Sequence, residues 1–235
     1  MIEIIPAIDM IEGKCVRLTK GDYAQKKVYN DNPVEVAKMF EAKGIKRLHL
    51  VDLDGAKSKH VVNDHILREI CRETHLIVDF GGGIKTEDDL EKVFDAGAKM
   101  ATAGSIAATD REMVYDWIER YGAERLILGA DVHDQKISIN GWQEDCDIDL
   151  MPFLEDYLSR GIRNVLCTDI SKDGMLQGPN IDLYRSIMKR FPECHLIASG
   201  GVSSNNDIIA LDNAGIPAVV FGKAFYEGKI NLRGI

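Results

Sequence analysis

"LIASGGVSSNND", residues 196–207, sets two glycines directly behind an apolar run and follows them with a row of small polar residues. That composition reads as a strand running into a tight, anion-cradling turn and then a helix. A close relative, "LIVDFGGGIKTEDD", stands at residues 76–89. Laying the second half of the chain over the first extends the match. "IPAIDMIEGKCVRL" falls on "ILGADVHDQKISIN", pairing Asp9 with Asp131, and "LHLVDLDGA" falls on "VLCTDISKDG", pairing Asp52 with Asp169. Gly82, Gly83, Gly97 and Gly104 pair with Gly200, Gly201, Gly215 and Gly222, each 118 positions further on. So constant an offset points to an internal repeat, roughly residues 1–122 and 123–235.

Eight short apolar runs alternate with amphipathic stretches from end to end: "IEIIPAID", "RLHLVDL", "HLIVDF", "KMATAG", "RLILGAD", "NVLCTDI", "HLIASG" and "AVVFG". The helical stretches have readable ends. Asn32 can cap a helix with Pro33 at its first position, Val36, Met39 and Phe40 share a face, and Gly44 stops it. A second helix opens at Thr109, three residues before Glu112 in capping-box spacing, and closes at Gly122. Eight strand–helix units predict one α/β domain over 1–235, a (β/α)₈ TIM barrel built from two duplicated half-barrels. An open doubly wound sheet is the alternative.

In such barrels a phosphate site is often built from the loops after strands 7 and 8. Gly200 and Gly201 follow strand 7, and Gly222 and Lys223 follow strand 8. The repeat places Gly82, Gly83, Gly104 and Ser105 after strands 3 and 4, half a turn round the ring. The expected ligand is therefore long, with a phosphate at each end. Arg17 and Lys223 supply candidate cations, though each also reads as a solvated surface charge. Catalytic groups sit at the C-terminal ends of the strands, where the repeat sets Asp9 against Asp131. Two carboxylates flanking a substrate suit one general acid and one general base. Thr168 ends strand 6 with a hydroxyl able to donate to an oxyanion or to bond backbone, and Asp173 and Gly174 follow as candidate substrate contacts. His49, inside strand 2, reads as a hydrogen-bonded wall of the site or a packed imidazole. Trp142, in the polar stretch "KISINGWQED", reads as a stacking lid.

The balance of 29 Lys+Arg against 38 Asp+Glu gives a net charge of −9, which argues against nucleic acid or an acidic membrane as partner. Phosphates must then be held by local dipoles and a few placed cations. Five cysteines without CxxC spacing suggest neither disulfides nor a zinc site, and no metal or cofactor is expected. With no signal-peptide pattern and no apolar run of membrane length, the cytoplasm is the expected compartment.

"IPAIDMIEGKCVRL", "LHLVDLDGA", "FGGGIK", "CTDISKDGMLQGPN", "ASGGVSS" and "FGKAFYEGK" together resemble the histidine-biosynthesis isomerases acting on phosphoribosylformimino-aminoimidazole-carboxamide ribotide. The resemblance covers nearly the whole chain. It implies an Amadori rearrangement of an aminoaldose into an aminoketose, on a substrate with two terminal phosphates and with no obligate protein partner. Asp131 would match the acid that opens the sugar ring, Asp9 the base that takes the C2 proton, and Thr168 a threonine assisting at the sugar. Cys167 and Met175 depart from the family pattern, which often shows an aromatic residue and a threonine there. The sister cyclase is an alternative, but its typical Leu-Asp-Val motif at strand 1 is replaced here by "AIDM". Two others are a non-catalytic phosphosugar sensor and a bifunctional enzyme that also isomerises phosphoribosylanthranilate.

Overall fold

The computed structural model describes residues 1–19, 22–139 and 144–234. Eight parallel strands close a barrel: β1 (Glu3–Ile11), β4 (Arg47–Asp52), β5 (Ile77–Gly81), β6 (Met100–Ala103), β7 (Leu126–His133), β10 (Asn164–Asp169), β11 (His195–Ser199) and β12 (Ala218–Phe221). Each pairs with the next, and β12 pairs back onto β1 with Glu3 opposite Ala218. All eight apolar runs lie in these strands, and the open doubly wound sheet is ruled out by the closure. Among the described residues, four further strands form matched antiparallel extensions. β2 (Lys14–Thr19) and β3 (Asp22–Asn30) continue from β1, while β8 (Lys136–Ile139) and β9 (Glu144–Asp149) continue from β7.

Much of the polar stretch around Lys136 is therefore sheet. Ile137 and Ile139 are buried, and that apolar pair holds the ladder despite its charged neighbours. Trp142 lies outside the described residues.

Helices α1 (Pro33–Ala42), α2 (Leu53–Ser58), α3 (Asp64–Glu73), α4 (Glu87–Asp95), α5 (Ser105–Thr109), α6 (Arg111–Tyr121), α7 (Leu150–Ser159), α8 (Ile181–Arg190), α9 (Asn205–Asn213) and α10 (Lys223–Tyr226) surround the barrel. α1 starts as its sequence predicts, with Asn32 accepting from the Val34 N–H and Pro33 in the first turn. The start of α6 differs. Asp110, not Thr109, caps it by accepting from the Met113 N–H. Thr109 instead ends α5, its hydroxyl donating to the Ser105 carbonyl. An Asp one residue further on competes better for the cap because its charge also complements the helix dipole.

The main core fills the space between barrel and helices, with Trp117, Tyr157, Tyr184 and Phe40 among its fully buried side chains. Inside the barrel a smaller cluster gathers Ile5, Ala7, Ile127, Leu166, Ile197, Ala218 and Val220. The glycine turns are locked by close backbone packing. A Cβ on Gly82 would lie 2.2 Å from the Asp52 carbonyl oxygen, and one on Gly201 would lie 2.4 Å from the Gly178 carbonyl oxygen. Asp52 accepts from Gly55, Val62 and Asn63. Asp169 accepts from Ser171 and Asn180 in the matching place. These two strand-end carboxylates brace loops.

Candidate active site

The ring order sets the site's geometry. β5 and β6, which lead into Gly82–Gly83 and Gly104–Ser105, stand opposite β11 and β12, which lead into Gly200–Gly201 and Gly222–Lys223. β1 and β7 stand opposite each other between these two poles. Asp9 and Asp131 therefore enter from facing walls, and both line one cavity of about 240 Å³. Thr168, Arg17, Asp173, Gly82, Gly83, Gly104 and Ser105 line the same cavity. Thr168 is the in-register neighbour of Asp131 across the β7–β10 ladder and is itself buried.

Gly174, Gly200, Gly201, Gly222 and Lys223 do not line that cavity. The second pole is occupied by protein groups. Lys223 Nζ donates to the Gly174 carbonyl at 2.9 Å. Arg17 packs on Gly222, where a Cβ would lie 2.8 Å from the guanidinium carbon. Arg17 is no surface cation: its side chain is only 11% exposed, and its Nη1 donates to Asp9 Oδ2 at 2.7 Å. Asp173 lies 4.0 Å from its other terminal nitrogen. Burial works against the Arg17 charge, but the Asp9 and Asp173 carboxylates outweigh it and raise its pKa. Burial also pushes the Asp173 carboxyl up, an effect that Arg17 opposes.

Two buried polar side-chain atoms among the described residues have no hydrogen-bond partner, Arg17 Nε and Thr102 Oγ1. Both residues line this cavity. Buried polar groups are otherwise almost always paired, so orphaned ones at one cavity mark a place shaped for a polar ligand. Cys167, in contrast, is inert. It is fully buried, and burial raises its thiol pKa well above the ordinary value.

Sequence reasoning left several lining residues unassigned. Lys85, two positions beyond Gly83, lines the cavity beside the first glycine pole. Burial lowers its pKa, with a smaller contribution from Lys59. Its signal was the lysine closing "FGGGIK". Tyr23 also lines the cavity and ties β3 down by donating to the Leu53 carbonyl at 2.6 Å. No local pattern in the sequence marks it, since the contact spans 30 residues. Among the described residues no group of three or more His, Cys, Asp or Glu is placed to hold a metal ion. No helix among them is long and apolar enough to cross a membrane.

Comparison with known proteins fits this geometry. The family model described as "Histidine biosynthesis protein" matches residues 3–231. A protein of Bacteroides thetaiotaomicron is 60% identical over 235 residues, covering all of this chain and 98% of its own length. One from Phocaeicola vulgatus is 61% identical over 235 residues with the same coverage. One from Flavobacterium johnsoniae is 54% identical over 232 residues, covering 99% of this chain and 97% of its own length. All three are named as isomerases of an imidazole-4-carboxamide bearing two 5-phosphoribosyl groups. With matches of this extent and identity, the chain belongs to the histidine biosynthesis protein family.

Proposed function

We propose that this chain is the isomerase that converts phosphoribosylformimino-aminoimidazole-carboxamide ribotide to its phosphoribulosyl isomer by an Amadori rearrangement. The observation that carries the reading is the pair of facing aspartates, Asp9 on β1 and Asp131 on β7, sharing one cavity between two glycine poles. Asp131 protonates the ring oxygen of the aminoaldose, the ring C–O bond breaks, and a Schiff base forms. Asp9 takes the proton from C2. Returning a proton to C1 while the enol becomes a carbonyl completes the aminoketose. Thr168, next to Asp131, assists at the sugar, and Trp142 stacks on the substrate's ring system. Turnover of this ribotide in a coupled assay, run beside phosphoribosylanthranilate, tests the reading. Silence on the ribotide overturns it, and turnover of both substrates identifies a bifunctional enzyme.

The two poles each hold one terminal phosphate in this reading. Gly82, Gly83, Gly104, Ser105 and Lys85 serve one end. Gly174, Gly200, Gly201, Gly222, Lys223 and Arg17 serve the other, once the Lys223–Gly174 contact gives way. Binding energy at the ends then places the sugar between the aspartates. An analogue lacking either terminal phosphate is expected to lose kcat as well as affinity. Unchanged steady-state parameters for such an analogue would show that its missing end is not gripped.

The internal repeat, roughly 1–122 and 123–235, is the origin we assign to this symmetry within one barrel domain. We place the enzyme in the cytoplasm, acting alone on a small molecule and without cofactor. Proton transfer between carboxylates and a sugar needs no Lewis acid, so activity should survive exhaustive chelation. A strict dependence on added divalent ion would contradict this mechanism.

A further inference from the structure

The barrel interior is apolar on most of its circumference, filled by Ile5, Ile127, Leu166, Ile197 and Val220. On β4 and β5 it is not. There Arg47, His49 and Asp79 are all buried, the last two as direct cross-strand neighbours. His49 Nδ1 is hydrogen-bonded to Asp79 Oδ1. The other carboxylate oxygen, Oδ2, accepts from Arg47 Nε at 3.2 Å. Arg47 is held in turn by Glu3 Oε1 at 2.9 Å and lies against the Met100 sulfur at 3.8 Å. An apolar set of the same volume would pack here at least as well, because burying ions carries a desolvation cost. The polar side of the barrel therefore calls for another cause.

That cause is at the upper end of the chain. His49 lines the same cavity as Asp9 and Asp131, one layer below them, opposite Ala7 on β1. An ionised carboxylate only accepts hydrogen bonds, so the shared proton sits on His49 Nδ1. Nε2 is then the ring nitrogen left for the cavity, and in the neutral imidazole it is an acceptor. We propose that Asp79, braced by Arg47, is a positioning residue that fixes His49 in the Nδ1–H form, so that Nε2 accepts a hydrogen bond from a sugar hydroxyl and orients the sugar between the two aspartates. The inference rests on the isomerase reading and deepens it. Arg47 blocks the alternative in which Asp79 turns away from the ring, because it occupies the second carboxylate oxygen. His49 gains from this a fixed plane and a fixed tautomer, the two properties a hydroxyl acceptor needs.

Asp79→Asn separates positioning from packing. An amide of nearly the same shape can offer its N–H to Nδ1, which moves the ring proton to Nε2 and turns an acceptor toward the cavity into a donor. Misplacing a reacting group by about 1 Å costs roughly 10²-fold. The expected result is a kcat loss of about that size in Asp79→Asn and in His49→Ala. The double variant should be no worse than either single one, because both remove the same interaction. Ring ¹⁵N NMR should find the proton on Nδ1 in the wild-type protein and on Nε2 in Asp79→Asn. The wild-type spectrum needs no variant to fold. A wild-type proton on Nε2 overturns the proposal, as does wild-type kcat per folded molecule in His49→Ala, or in Asp79→Asn with the tautomer switched. Wild-type turnover of the ribotide is the control: its failure removes the isomerase reading itself, whereas normal turnover in His49→Ala removes only the inference.

Discussion

Asp9→Asn and Asp131→Asn are each expected to lower kcat by about 10²- to 10⁴-fold, the usual cost of deleting one proton-transfer group. Both variants should remain folded. An amide keeps nearly the same shape as the carboxylate it replaces. Asp9→Asn also changes the Arg17 contact at 2.7 Å from an ion pair to a hydrogen bond between the guanidinium and an uncharged amide oxygen. The two substitutions differ in a way that ordinary damage to the site would not. In the proposed mechanism Asp131 acts in ring opening and Asp9 in the later proton abstraction. A substrate supplied already opened should therefore restore part of the rate to Asp131→Asn and none to Asp9→Asn. Near-wild-type turnover in either variant, measured as kcat on correctly folded protein, would reject the acid–base pair. Equal rescue of both by the opened substrate would reject the division of labour.

The fold and the placing of Asp9 and Asp131 at facing strand ends were legible because they rest on short-range signals that recur in both halves of the chain. Asp9 and Asp131 each end an apolar run, and each run became a barrel strand. Gly82 and Gly201 announced tight turns, and both have positive φ. What escaped was whatever depends on contacts between distant segments. Arg47 meets Asp79 inside the barrel and the exposed Glu3 at the start of β1, across separations of 32 and 44 residues. Nothing near Asp79 in "LIVDFGGG" distinguishes it from a turn residue. The antiparallel extension at Lys136–Ile139 was missed for a related reason. Four residues with two apolar side chains are too short to show a period, and their pairing with Glu144–Asp149 is what makes them a strand. Arg17 shows the same limit. Its charge was visible, but only the return of β2 beside β1 places it against Asp9.

Stability, rather than ligand affinity, should register the largest effect of changing the glycine pairs. From sequence, a side chain at Gly82 or Gly201 looks like a way to remove one phosphate site and leave the rest intact. The structure predicts otherwise. Gly82 has φ +99° and Gly201 φ +83°, a region that side-chain-bearing residues rarely adopt, at a cost of about 1–3 kcal/mol. In both cases the atom a Cβ would strike is a backbone carbonyl oxygen, which cannot swing aside as the end of a long side chain can. Forcing it aside adds overpacking strain of about 1–3 kcal/mol. Gly82→Ala and Gly201→Ala should thus each lose about 2–6 kcal/mol. For a domain of this size that is a drop in Tm of roughly 4–24 °C. Gly104 is the discriminating position. A Cβ there meets nothing within 4 Å and the residue does not have positive φ, yet it lines the cavity at the first pole. Gly104→Ala should keep the wild-type Tm to within the few degrees expected of a substitution that breaks no contact, while its methyl stands where a phosphate would approach the backbone N–H groups. A raised KM at unchanged Tm would separate the ligand role of this pole from its packing role. Unchanged KM in Gly104→Ala would leave the glycines of the first pole as packing devices alone, and a wild-type Tm in Gly82→Ala would refute the backbone interlock with Asp52.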